Sequence, residues 1–189
     1  LLPWFDRNAR CTHSVFLDKL DYILSRMPEA HLTVCISSSK FSPAIANFFN
    51  RMGRRLAGRV TLKRNIAPVD RPAVYAAHDL TIFPAECDNY GFCNLTSISC
   101  GTPVLTFAVS PQTDFVYSDS NGLLIKTKID YDENGVPHAF PEYAYYVDAL
   151  QTLIDEPAQI EKMNKRVNYN LNTRRKSFDL GWQTLLKII

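Results

Sequence analysis

Apolar runs rich in β-branched residues alternate along this chain with stretches at helical spacing, an order that predicts parallel strands joined by crossover helices. Leu2 to Phe5 reads as a first strand. Ser14 is placed to cap a helix presenting Phe16, Leu20, Ile23, Leu24 and Met27 on one face. His31 to Ile36 is a nearly unbroken apolar run of the buried-strand kind. Ser42-Pro43 sets a cap residue before a proline at the first helical position. The helix it opens turns Ile45, Phe48, Phe49, Met52 and Leu56 inward and ends near Gly58.

The second half repeats the alternation. Val60 to Leu62 is a short strand, and Pro68 to His78 a short helix with Val74, Tyr75 and Ala77 inward. Leu80 to Phe83 is a strand that Pro84 stops; a helix follows from Phe92 to Cys100, and Gly101-Thr102-Pro103 turns the chain into the strand Val104 to Phe107. Asn121-Gly122 makes another turn before Leu123 to Ile125. Residues 126–140 are polar and turn-prone, a surface insertion in the form of a loop or small hairpin. Helices close the chain over 141–189: one to Asp155, one from Pro157 toward Arg175, and a third beginning around Phe178, Trp182, Leu185 and Leu186. The expected fold is α/β, a Rossmann-like doubly wound parallel sheet of about six strands with helices on both faces, forming one domain over residues 1–189.

Composition narrows the function classes. With 46% hydrophobic and 21% charged residues, the chain falls among ordinary globular domains rather than disordered or fibrous ones. A net charge of +2 is too mild to argue for nucleic acid. The basic run Arg51, Arg54, Arg55, Arg59, Lys63, Arg64 reads as a solvated helix face, so no nucleic-acid partner is expected. No apolar run approaches the ~18 residues of a membrane span. The chain opens on Leu1-Leu2-Pro3-Trp4-Phe5, with no Met and inside an apolar run, as an excised segment of a longer protein would. Five cysteines, Cys11, Cys35, Cys87, Cys93 and Cys100, show no paired spacing, which speaks against a disulfide framework or zinc site and for a reducing cytoplasm. Cys35 and Cys100 are expected as small buried hydrophobes. His13, His31, His78 and His138 lie too far apart to share a metal. A nicotinamide dinucleotide site would need Gly-x-Gly-x-x-Gly after the first strand, and Asp6-Arg7-Asn8-Ala9-Arg10 holds no glycine.

In a doubly wound sheet ligands sit at the carboxyl ends of the strands. The best candidate is the segment Pro84 to Thr96, which leaves one strand and opens a helix. A helix N-terminus offers unpaired N–H groups and a positive dipole end, and so accepts a diphosphate without a metal. Gly91 lets the backbone approach a ligand closely. Asp88 is positioned either to hydrogen-bond sugar hydroxyls or to cap the helix. Of the aromatics Tyr90 and Phe92, one at least is expected to pack within the loop.

From Pro84 to Val104 the residues resemble the donor-site signature of family 4 glycosyltransferases, glycosyl transferases group 1, retaining enzymes of the GT-B fold. That signature reads Pro-Ser-x-x-Glu-Gly-Phe-Gly-Leu-x-x-Leu-Glu-Ala-Met-Ala-Cys-Gly-x-Pro-Val. The chain matches it at Pro84, Gly91, Leu95, Cys100, Gly101, Pro103 and Val104, with Asp88 for the first Glu and Tyr90 for Phe. Asn121-Gly122-Leu123-Leu124, with Asp119 nearby, is similar to the family's Asn-Gly-Leu-Leu turn, and Tyr75, Asp79 and Pro84 fit an earlier stretch in which His78 replaces Ala. The sequon Asn94-Leu95-Thr96 falls inside this motif and is read as coincidence.

The resemblance implies the C-terminal, donor-binding half of a GT-B enzyme. Its substrate would be a nucleoside-diphosphate sugar of hexose type, with retention, no metal, and no cofactor beyond the donor. Asp88 would contact the sugar as a catalytic residue, and backbone amides at Tyr90, Gly91, Phe92 and Cys93, with Asn94 beside them, would hold the diphosphate. Thr96 stands where a second Glu grips the ribose, supplying a hydroxyl but no charge; Ser97 is the alternative partner. Arg7-Asn8-Ala9-Arg10 resembles the start of the family's cation site, with Arg10 as the catalytic cation, Arg7 second, and Cys11 in place of the Lys. Lys63 and Arg64 are further cation candidates. An acceptor-binding N-terminal domain absent from this chain is implied, and the full protein is expected in the cytoplasm, associating peripherally with a membrane. Thr96 and Cys11 leave a second reading open: a degenerate module that binds nucleotide sugars, or a partner, without turnover.

Overall fold

The computed structural model describes residues 1–5, 20–25, 27–36, 43–88, 90–140 and 142–186 of the chain. Six parallel strands carry the fold: β1 (Leu2–Phe5), β2 (Leu32–Ile36), β3 (Val60–Arg64), β4 (Thr81–Phe83), β5 (Val104–Phe107) and β6 (Gly122–Ile125). They pair as β1-β2-β3 and as β4-β5-β6. Two bonds join the triplets: the Leu1 nitrogen donates to Leu80 O at 2.7 Å, and the Ile82 N–H to Leu1 O at 2.8 Å. One residue bonded to both neighbours of its opposite number is the parallel-ladder pattern. The strand order is therefore 3-2-1-4-5-6, with its reversal between β1 and β4, where doubly wound sheets form a ligand crevice.

Period-two alternation divides the sheet into two buried faces. Val34, Ile36, Ile82, Leu105, Phe107 and Ile125 face one core. Against them pack Leu20, Ile23 and Leu24 from α1 (20–25), Phe49 and Met52 from α2 (Pro43–Arg55), and Tyr146, Leu150 and Leu153 from α6 (Tyr143–Asp155). The Tyr146 hydroxyl donates to Leu105 O at 2.9 Å, which satisfies its polar end inside that core. The opposite face meets α3 (Arg71–Ala76), α4 (Phe92–Ser99) and α5 (Gln112–Phe115), with Phe83, Val104, Ile98 and Val116 in one cluster and Cys35 and Tyr75 in another.

Arg59 holds the carboxyl end of α1. Its guanidinium donates to Met27 O at 2.6 Å and to Ala30 O and Leu24 O at 3.0 Å, tying the end of α1 to the turn that follows it. One member of the basic run is thus a structural clamp. Arg51, Arg54, Lys63 and Arg64 are exposed, and the likewise exposed Arg55 pairs with Asp21.

The structure corrects several sequence expectations. The terminal segment holds no break for a third helix: α7 runs unbroken over Pro157–Leu186. The short second-half helix is a 3-10 turn, Pro68–Asp70, leading into α3, and Ala77 beyond it is exposed. Cys35 is buried as expected, whereas Cys100 is only half-buried. The insertion is an antiparallel hairpin, β7 (Lys128–Tyr131) with β8 (Pro137–Phe140). Helix α5 has no counterpart in the sequence reading. At the start of β6, a Cβ on Gly122 would lie 2.3 Å from Val104 O, so glycine is what lets the strand pair there.

Candidate functional site

Pro84 ends β4 at the reversal of strand order, and the loop that follows climbs into α4. Gly91 stands at the N-cap with φ 64° and ψ 25°, the left-handed conformation, and no side chain caps the helix. The first-turn N–H groups of Phe92, Cys93 and Asn94 thus have no intrahelical acceptor and none from a capping side chain. They converge at the carboxyl end of β4 with the dipole's positive pole behind them. A Cβ on Gly91 would meet the Phe115 ring at 3.0 Å, so glycine is required by space as well as by backbone conformation.

Asp88 does not cap α4. Its Oδ1 accepts the Tyr90 N–H at 3.3 Å, an Asx-type turn that shapes the loop and leaves most of a half-buried carboxylate available. Tyr90 and Phe92 both point outward, 65% and 64% exposed, with ring centroids 5.3 Å apart. Neither is the packed loop aromatic expected of one of them. The loop is also tied from behind, since the Ala139 N–H of β8 donates to Glu86 O at 2.7 Å.

Asn94 is 0% exposed, and neither its Oδ1 nor its Nδ2 meets a partner. Leaving a buried amide unpaired costs about 1–3 kcal/mol per group. Because helical side chains lean toward the N-terminus, this amide lies at the site end of α4. Thr96 is half-buried on the next turn. Ser97 is not available to a ribose: it is fully buried and donates to Thr81 Oγ1 at 2.7 Å, with Thr102 O at 2.9 Å.

Burial pushes the Cys93 thiol up to about 12, with the Asp88 charge acting the same way against a Tyr75 hydrogen bond and the Arg71 charge. Arg71, at the start of α3, is a cation that sequence reasoning did not single out. No motif marks it; only the packing of α3 beside α4 brings its charge to bear on Cys93.

The other predicted cations fare differently. Arg7, Arg10 and Cys11 lie outside the described residues. Lys63 is exposed near the carboxyl end of β3, three strand spacings or roughly 14 Å from β4, and is not brought together with Asp88. The His78 Nδ1–H donates to Val74 O, 2.6 Å away, and burial lowers the pKa of the ring. Among the described residues no group of three His, Cys, Asp or Glu could hold a metal. A cavity of about 900 Å³, walled by Leu24, Met27, Leu32, Ile82 and Leu153, opens at the amino ends of the strands, away from this loop.

Residues 53–176 match the family described as glycosyl transferases group 1. The chain belongs to that family. It is 31% identical over 105 residues to a D-inositol 3-phosphate glycosyltransferase of Rhodococcus opacus, covering 56% of this chain and 21% of that protein. The chain thus spans about a fifth of that relative's length. Its fold is that of the GtfA/B complex structure, with a TM-score of 0.69 at 16% identity over 98% of this chain and 35% of the other. The structure of the C-terminal domain of LpcC, a glycosyl transferase group 1 family protein from Francisella tularensis, gives a TM-score of 0.63 at 16% identity. There the coverage is 93% of this chain and 85% of the other. No helix among the described residues is long and apolar enough to cross a membrane.

Proposed function

We propose that this chain is the donor domain of a retaining, metal-independent hexosyltransferase that takes its sugar from a nucleoside diphosphate. The observation that carries this reading is the uncapped amino end of α4, opened by left-handed Gly91 at the reversal of strand order. Its free N–H groups suit the diphosphate, and the unpartnered Asn94 amide behind them supports a site completed by a polar group from outside the protein. In the transfer, the bond between the anomeric carbon and the diphosphate breaks as an acceptor hydroxyl bonds to the same face of the sugar. The hydroxyl proton leaves with the nucleoside diphosphate. Charge develops on the departing phosphate, where prearranged N–H dipoles stabilise it most. Asp88 orients the sugar through its hydroxyls, and Arg10 and Arg7 supply cationic charge. The acceptor binds chiefly to an N-terminal domain outside this chain, in the cytoplasm.

A second reading, a module that binds nucleotide sugars without turnover, is favoured by Thr96, which brings no carboxylate to the ribose. Calorimetric titration with UDP and GDP tests the common ground: binding of one of them is expected, and a folded chain that takes neither rules out a donor site. Asp88→Ala then addresses the sugar. It is expected to weaken binding of the nucleotide sugar much more than of the bare nucleotide, whereas equal losses would reduce Asp88 to a loop former.

A further inference from the structure

We infer that Tyr90 and Phe92 form a stacking platform for a pyranose ring at the mouth of the donor site. The inference rests on the reading of α4 as the diphosphate site. Tyr90 and Phe92 are 65% and 64% exposed, a paired apolar surface close in sequence to the half-buried Asp88 carboxylate. The two rings stand two residues apart, their planes inclined by 33°, on opposite sides of Gly91. The backbone that carries them is fixed: Asp88 accepts from Tyr90 N–H, and Gly91 is pressed on Phe115. The backbone from which the rings project is therefore set before any ligand arrives, which lowers part of the ordering cost of binding.

The occupant follows from what lies beside the rings. A purely apolar partner would leave the Asp88 carboxylate unmatched, and an acidic one would be repelled by it. A pyranose satisfies both, since its axial C–H face lies on an aromatic ring while its equatorial hydroxyls donate to a carboxylate at the edge. The ring belongs either to the donor sugar or to a sugar of the acceptor, and the two can be separated experimentally.

Tyr90→Ala and Phe92→Ala are made in the full chain, with Phe92→Tyr as the variant that keeps the ring. Titrations use the nucleoside diphosphate alone, the matching nucleotide hexose, and a β-linked disaccharide with the nucleoside diphosphate already bound. The alanine variants keep the backbone N–H groups and are expected to weaken one of the sugar ligands roughly tenfold more than the bare nucleotide, with Phe92→Tyr near wild type. Loss confined to the nucleotide hexose assigns the ring to the donor, and loss confined to the disaccharide assigns it to the acceptor. Sugar affinities unchanged in both alanine variants, with the nucleotide still bound, overturn the platform and leave the donor site standing. If no nucleotide binds yet the disaccharide does so through these rings, the donor reading falls and the platform remains. Binding of neither overturns both.

Discussion

Ser97 donates its hydroxyl to Thr81 at 2.7 Å, in the buried layer between α4 and β4. The same oxygen lies 2.9 Å from Thr102 O, and the Thr102 hydroxyl in turn donates to Tyr75 O at 2.8 Å. This chain of bonds fastens the site helix to the strand and helix beneath it. Ser97→Ala would leave the Thr81 hydroxyl and the Thr102 carbonyl a partner short, at a cost of about 1–3 kcal/mol. Urea unfolding should register that loss while nucleoside-diphosphate affinity stays at the wild-type value. A folded Ser97→Ala protein with its nucleotide binding abolished would return the hydroxyl to the ligand.

Gly91 is held by two independent constraints. Its left-handed backbone costs an L-residue about 1–2 kcal/mol, and a Cβ would stand 3.0 Å from the Phe115 ring. Gly91→Ala is therefore expected to lower thermal stability and to weaken nucleoside-diphosphate binding together, because it displaces the first turn of α4. Adding Phe115→Leu should recover the steric part and leave the backbone part. Complete recovery in the double variant would show that the positive φ carries no cost.

The hairpin β7–β8 is predicted to loosen in acid. The Val136 N–H holds the Asp132 carboxyl below its ordinary value of 3.8, aided by the Asn134 N–H and by His138; both backbone bonds measure 2.9 Å. A carboxyl with a depressed folded pKa favours the folded form above the unfolded value and loses that effect as pH falls through the folded one. Amide protection over residues 128–140 should therefore drop below pH 3.8. Asp132→Ala should show the reduced protection already at neutral pH, with no further acid step. A variant as protected as wild type at neutral pH would assign the turn's order to Gly135 and Asn134 alone.

Much of this protein was legible in its residues. Short apolar runs such as Leu80 to Phe83, stopped by Pro84, and Val104 to Phe107, entered from Gly101-Thr102-Pro103, announced strands, and the segment from Pro84 to Val104 carried both the loop and its family. These are local properties, set by side-chain spacing, a proline stop and a glycine at a conformation other residues avoid. The same local logic gave Asp88 two readings and could not choose between them, because a carboxylate next to a helix serves as cap or as ligand contact with identical spacing.

What lay beyond the sequence is the set of relations between distant segments. The order 3-2-1-4-5-6 depends on Leu1 bonding to Leu80 and Ile82, groups separated by about eighty residues, and no local pattern encodes such a pairing. Tertiary packing likewise committed Ser97 to Thr81 and brought Arg71 to bear on Cys93, while leaving Asn94 buried without a partner. A side chain's hydrogen-bond capacity is written in the sequence. Whether that capacity is spent inside the protein or left for a ligand is decided by which other elements close around it.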